Sequence, residues 1–274
     1  MVEAVLRAKG PYSLRLTTGA ATWTARLPGA RWATAQQLHD GRVVVRASCE
    51  TAVDDARFVL ALDDDTSRFH RVYARDPLLG ATVRRLRGMR TRRRSTVTHA
   101  VIRAVCGQLI QARRALEIER SIIRVCGESP PTREALARLA PARLTACGLA
   151  TSRASTLTRL ARSLDLEGLR GKRDAPARLL RERGVGPWTV GTVALQGLGR
   201  YDIGLVDDLA LVKLLASLRR RWPEPGETAE LLAPYGEWQG LASVFFMQGL
   251  KRGLIPGASM DRARLVRSAA YRAA

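Results

Sequence analysis

The tetrapeptide Gly184-Val185-Gly186-Pro187 limits the possible folds of this chain more than any other stretch. It separates two helix-like runs, DAPARLLRER (174–183) and WTVGTVAL (188–195). Glycine reaches positive φ at little cost, and proline, with fixed φ and no amide hydrogen, suits the first turn of a helix. The tetrapeptide therefore predicts a tight hairpin between two helices, the first opened by Asp174 as N-cap with Pro176 in its first turn. Gly184, Val185 and Gly186 would then expose amides at a helix N-terminus, where partial positive charge attracts an anion. A plain helix–helix connection can carry the same residues, so the hairpin alone leaves both readings open.

The flanking sequence divides in two. Residues 1–78 hold short β-branched or alternating runs, SLRLT (13–17), TWTARL (22–27), RVVVRA (42–47) and RFVLAL (57–62). Pro28-Gly29 and Asp40-Gly41 supply turns between them. Beyond Asp76-Pro77, an N-cap and first-turn pair, the periodicity becomes helical. Val97, Val101 and Val105 share one helix face, and Leu116, Ile118, Ile122 and Val125 another, with a break at Gly107-Gln108-Leu109-Ile110-Gln111. The expected fold is α+β, a small antiparallel β domain (1–78) before an all-helical body (79–274) that contains the hairpin (174–199).

Charge narrows the partner. The chain has 46 Lys+Arg against 25 Asp+Glu, a net charge of +21, and only four of the basic residues are lysine. Such a field draws in polyanions, so nucleic acid is the expected partner. Seven arginines crowd VRRLRGMRTRRRS (83–95), which reads either as a solvated segment or as a phosphate-facing one. No apolar run is long enough to span a bilayer, and MVEAVLRAKGPY at the start has no apolar core of a secretory signal, so a cytoplasmic location is expected. Cys49, Cys106, Cys126 and Cys147 lie far apart and read as reduced thiols; His39, His70 and His99 lack ligand spacing.

With Asp207 and Asp208 downstream in DIGLVDDLALVK (202–213), GVGPWTVGTVAL (184–195) resembles the signature of the helix–hairpin–helix DNA glycosylase superfamily. More narrowly, the chain is similar to the bacterial 3-methyladenine DNA glycosylase II family of alkylation repair. Supporting likenesses are DPLLG (76–80), HAVIRAVCGQLIQARRA (99–115) and LTACGLATSRASTLTRLA (144–161). The resemblance implies a monomeric enzyme that binds damaged double-stranded DNA, flips a base out and hydrolyses its N-glycosidic bond.

It also implies residue roles. Asp208, directly before LAL, matches the catalytic carboxylate, leaving Asp207 to cap the following helix. Trp188 stands where the strand-cleaving branch carries its attacking lysine; an indole forms no Schiff base, which implies a monofunctional enzyme using water. Trp188, Thr192, Leu209 and Phe245 match base-pocket positions, although Thr192, Leu209 and Ala210 are not the aromatics the family favours there. Gln108 and Leu109 match the loop whose leucine fills the space of the flipped base. The carbonyls of Leu180, Glu182 and Val185 match positions that hold a structural Na+ or K+; no other cofactor is implied. Removal of deaminated, oxidised or bulky lesions, or lesion binding without catalysis on the same fold, are the alternative readings.

Overall fold

In the computed structural model, which describes residues 1–108 and 111–273, the N-terminal region forms one antiparallel sheet. Its strands are β1 (Val2–Leu6), β2 (Thr22–Leu27), β3 (Arg31–Gln37) and β4 (Val43–Ala47), in the order β1-β4-β3-β2. Both turn signals are used. Pro28-Gly29 lies between β2 and β3, and at the β3–β4 turn Gly41 takes φ 85° while the Asp40 carboxylate accepts the Arg42 amide at 3.0 Å. Alternation places Trp23, Leu27, Ala33, Ala35, Val43, Val45 and Ala47 on the buried face. Helix α2 (Glu50–Val59) covers that face with Ala52, Val53, Ala56 and Val59.

Two expected strands are helical instead. SLRLT becomes α1 (Leu14–Thr18), because Ser13 caps it through the Leu16 amide (3.3 Å) and Gly19 closes it at φ 86°. RFVLAL finishes α2 and its C-terminal turn. Runs this short do not distinguish strand from helix by periodicity; for α1 the capping residues decide.

The remaining chain is helical. After α3 (Ser67–Tyr73), Asp76 accepts the amides of Leu78 (2.9 Å) and Leu79 (2.6 Å), and α4 (Gly80–Arg85) follows. Asp76 thus caps a turn, and the regular helix starts at Gly80 rather than at Pro77. Then come α5 (Val97–Gly107), α6 (Ala112–Cys126), α7 (Arg133–Ala137), α8 (Pro141–Ala146) and α9 (Thr151–Ser163). The hairpin pair is α10 (Ala175–Leu180) and α11 (Pro187–Val193), and α12 (Leu209–Arg219), α13 (Glu227–Leu232), α14 (Gln239–Lys251) and α15 (Met260–Ala273) complete the body. One apolar core joins α5 to α9 and α11; a second joins α3, α4, α12 and α14, so Phe69 of α3 belongs to the helical body although it precedes residue 78. Among the described residues no helix is long and apolar enough to cross a membrane.

The arginine-rich stretch does much of the joining. Arg90, 2% exposed, donates to the carbonyls of Lys9, Ala61 and Pro11 and lies over the Tyr12 ring. Arg93, 6% exposed, pairs with Asp64, which also accepts the Tyr201 hydroxyl at 2.6 Å. Arg94 joins His99 and Arg103 around the buried Glu119 carboxylate, at 3.0, 3.0 and 3.3 Å. Neither the solvated nor the phosphate-facing reading describes these three residues: they fasten the sheet and α6 to the body. Arg84, Arg85, Arg87 and Arg92 stay exposed.

Candidate active site

The hairpin forms as its residues require. Gly184 has φ 82°, and a Cβ there would stand 2.5 Å from the Thr156 hydroxyl of α9, so both conformation and space demand glycine. Gly186 is extended, at φ −101° and ψ 177°, and serves as N-cap of α11 ahead of Pro187; it does not use the positive φ its sequence invites. Nor are all three amides open. Val185 donates to the Glu182 carbonyl at 3.0 Å and its side chain is buried, which leaves Gly184 and Gly186. Asp174 makes no capping bond to α10; its carboxylate pairs with Arg178 at 3.3 Å. Arg159 of α9 braces the turn from beneath, donating to the Arg183 carbonyl and lying 3.4 Å from Glu182.

The capping role expected of Asp207 falls to Asp208. Asp208 is the N-cap of α12: its Oδ1 accepts the Ala210 amide at 2.8 Å. Asp207 sits at φ 62° and is held there by Thr228 of α13, whose hydroxyl accepts the Asp207 amide and donates to its Oδ1, both at 2.9 Å. A short polar side chain tolerates that left-handed conformation. The expectation that Asp207 caps and leaves Asp208 free is therefore corrected: the left-handed residue faces away into the Thr228 bonds, and the extended residue after it has the geometry of a cap.

The second carboxylate oxygen of Asp208 accepts the Trp188 indole N–H at 2.8 Å. A carboxylate only 9% exposed thus meets two donors, one from its own helix and one from the hairpin helix. Gln108, at the end of α5, donates to the Gly184 carbonyl (3.1 Å) and the Thr189 hydroxyl (2.9 Å). A Cβ on Gly107 would stand 2.7 Å from the Trp188 ring. The structure therefore gathers Asp208, Trp188, Gln108 and Gly184 at one place where α5, α11 and α12 converge.

Other expected residues lie differently. Leu209, 52% exposed, follows Asp208 at the surface, and Thr192 is 5% exposed inside α11. Phe245 is fully buried, edge-on to Phe69 (5.0 Å) and near His70 (5.8 Å), so it packs between α3 and α14 with no face open to a base. Its place in the pocket is corrected accordingly: an aromatic in the interior of α14 is taken up by the second apolar core. Leu109 lies outside the described residues. The Glu182 carbonyl already accepts the Val185 amide, and a second lone pair remains for a cation. Among the described residues no cluster of three or more His, Cys, Asp or Glu side chains has metal-binding geometry. Sequence reasoning missed Gly107, Thr189, Thr156, Arg159 and Thr228, which act on the site through contacts distant in sequence and carry no local signal beyond the glycine at the end of α5.

The fold has known counterparts. No family model matches the chain. The 3-methyladenine DNA glycosylase of Archaeoglobus fulgidus superposes with a TM-score of 0.78, covering 91% of this chain and 98% of that one at 18% identity. The 8-oxoguanine glycosylase/lyase of Clostridium acetobutylicum, solved with double-stranded DNA, superposes at 0.70, covering 92% and 99% at 16% identity. The chain accordingly shares its fold with these two DNA glycosylases. In sequence it is similar to the DNA-3-methyladenine glycosylase of Bacillus subtilis, 26% identical over 235 residues that cover 78% of this chain and 77% of the relative.

Proposed function

We propose that this protein is a monofunctional DNA glycosylase of base-excision repair that removes alkylated bases from double-stranded DNA, with Asp208 as its catalytic carboxylate. The observation that carries the reading is the environment of Asp208: a nearly buried carboxylate, held at both oxygens, one of them by the Trp188 indole of the hairpin helix, in a strongly basic chain. Likeness to the 3-methyladenine glycosylases in sequence and fold supports the substrate class.

The chemistry follows from that placement. Cleaving an N-glycosidic bond builds positive charge on the sugar, and a fixed anion stabilises it without reorganising. The same carboxylate orients the attacking water and accepts its proton, while the departing base takes the bonding electron pair. Trp188 occupies the position of the strand-cleaving lysine and has no amine, so the product is an abasic site in an intact strand. The amides of Gly184 and Gly186 face a backbone phosphate, a contact that positions the duplex without reading sequence. Neutral carbonyls of Leu180, Glu182 and Val185 suit a monovalent cation bridging hairpin and phosphate, and Leu109 is the residue proposed to fill the vacated stack.

The test is base release from methylated duplex DNA, with products identified by mass. Asp208→Asn is expected to slow release by at least about a hundredfold while DNA affinity persists. Release at the wild-type rate in that variant removes Asp208 from the mechanism. Release of oxidised or deaminated bases only reassigns the substrate, and binding of lesions with no release at all makes the protein a sensor. An adduct trapped by borohydride with wild type overturns the monofunctional assignment.

A further inference from the structure

The end of α5 and the first turn of α11 meet at two adjacent pairs, Gly107 with Trp188 and Gln108 with Thr189. At the first pair the six-membered edge of the indole occupies the space where a side chain at position 107 would begin, with Cη2 2.7 Å from an ideal Cβ. Real Cβ atoms do not approach so closely, so any residue other than glycine displaces the ring. The opposite edge of the same indole carries Nε1, whose hydrogen goes to Asp208 Oδ2 at 2.8 Å. The ring is thus fixed at both ends, by the backbone of one helix and by the carboxylate at the start of another. Gln108 ties the same helix end to the hairpin through Thr189 and Gly184.

We infer that Trp188 is a positioning residue for Asp208, and that Gly107 sets the position of Trp188, so that the end of α5, the hairpin helix and the carboxylate act as one rigid unit. The inference rests on the reading of Asp208 as the catalytic carboxylate. The Ala210 amide is fixed by α12 and restrains Oδ1 alone; a carboxylate held at one oxygen still turns about its χ2 torsion. The indole N–H restrains the second oxygen. A donor to an ionised group is worth more than a neutral hydrogen bond, and a reacting group must be held to a fraction of an ångström to keep its rate. Trp188 therefore acts through its nitrogen, a role separate from that of an aromatic pocket wall.

Two measurements on the full chain test this. The first follows the five tryptophan indole N–H resonances of 15N-labelled protein, with Trp188 assigned by its loss in Trp188→Phe. Asp208→Asn and Gly107→Ala are each expected to move the Trp188 resonance and leave those of Trp23, Trp32, Trp222 and Trp238 in place; a Trp188 resonance indifferent to Asp208→Asn overturns the inference. The second is single-turnover base release. Trp188→Phe keeps an aromatic ring and loses the donor, and is expected to slow release about tenfold to a hundredfold with duplex affinity unchanged. In an Asp208→Asn background the same substitution is expected to add no further loss, because its effect passes through the carboxylate. A normal rate for Trp188→Phe while Asp208→Asn is inactive, or losses that simply add, overturns the positioning role alone. Full activity of Asp208→Asn overturns the catalytic reading beneath it as well.

Discussion

Single residues at this site are decided by what stands next to them in space. Gly184 and Gly186 occur in one tetrapeptide, yet only the first is confined to glycine. Gly184→Ala must adopt φ near 82° and push against Thr156, whereas Gly186 is extended with nothing within 4 Å of an added Cβ. Gly184→Ala is expected to destabilise the protein by about 2 kcal/mol and Gly186→Ala by less than about 0.5 kcal/mol, as read from urea denaturation midpoints at constant m-value. Equal losses would show that the turn relaxes around either substitution. The aspartate pair illustrates the same dependence. Both residues are acceptable caps by type, and the Thr228 hydroxyl, distant in sequence, holds Asp207 in the left-handed region and leaves Asp208 to start α12.

The element that departs most from its sequence is the arginine-rich segment before α5. Basic runs are ordinarily solvated, but here Arg90, Arg93 and Arg94 turn inward because buried carbonyls and the carboxylates of Asp64 and Glu119 await them. Arg170 adds to the joint, 4.0 Å over the Phe58 ring and bonded to the Ser95 carbonyl at 2.9 Å. Arg93→Met leaves Asp64 without its buried cation and is expected to cost about 3 kcal/mol of stability. The same variant is expected to leave the salt dependence of DNA binding unaltered, since this arginine is buried against Asp64. A shallower salt slope, measured by fluorescence anisotropy titration, would place Arg93 at the DNA instead. Helix α5 shows the opposite case: Thr96 caps the His99 amide at 3.1 Å, Glu167 accepts the Val97 and Thr98 amides at 2.8 and 2.9 Å, and the periodic face of Val97, Val101 and Val105 is helical and buried as expected.

At the scale of the whole molecule, the excess of 21 positive charges favours encounter with a polyanion such as the proposed DNA partner. Many arginines are spent on carboxylates in the fold, and those on the exposed surface remain to displace counterions. The logarithm of the DNA association constant is therefore expected to fall linearly with the logarithm of salt concentration, losing on the order of a thousandfold between 50 and 200 mM. An affinity that ignored salt would contradict a phosphate-led interface. The sheet region, tied to the body through Arg90 and Arg93, packs α2 on its inner face.

By itself the sequence determined the elements whose signals are local: the β3–β4 turn at Asp40-Gly41, the periodic helices α5 and α6, the hairpin at Gly184–Pro187, and the charge that selects a polyanion. Through its resemblance to a glycosylase signature it also pointed to Asp208, Trp188 and Gln108. Tertiary structure alone decided which aspartate caps, which arginines are buried, that Phe245 is core, and that Trp188 donates to Asp208. The physical reason is that capping, periodicity and net charge are properties of neighbours along the chain, whereas a hydrogen bond between α11 and α12, or a ring seated against a glycine of α5, exists only after the helices have packed.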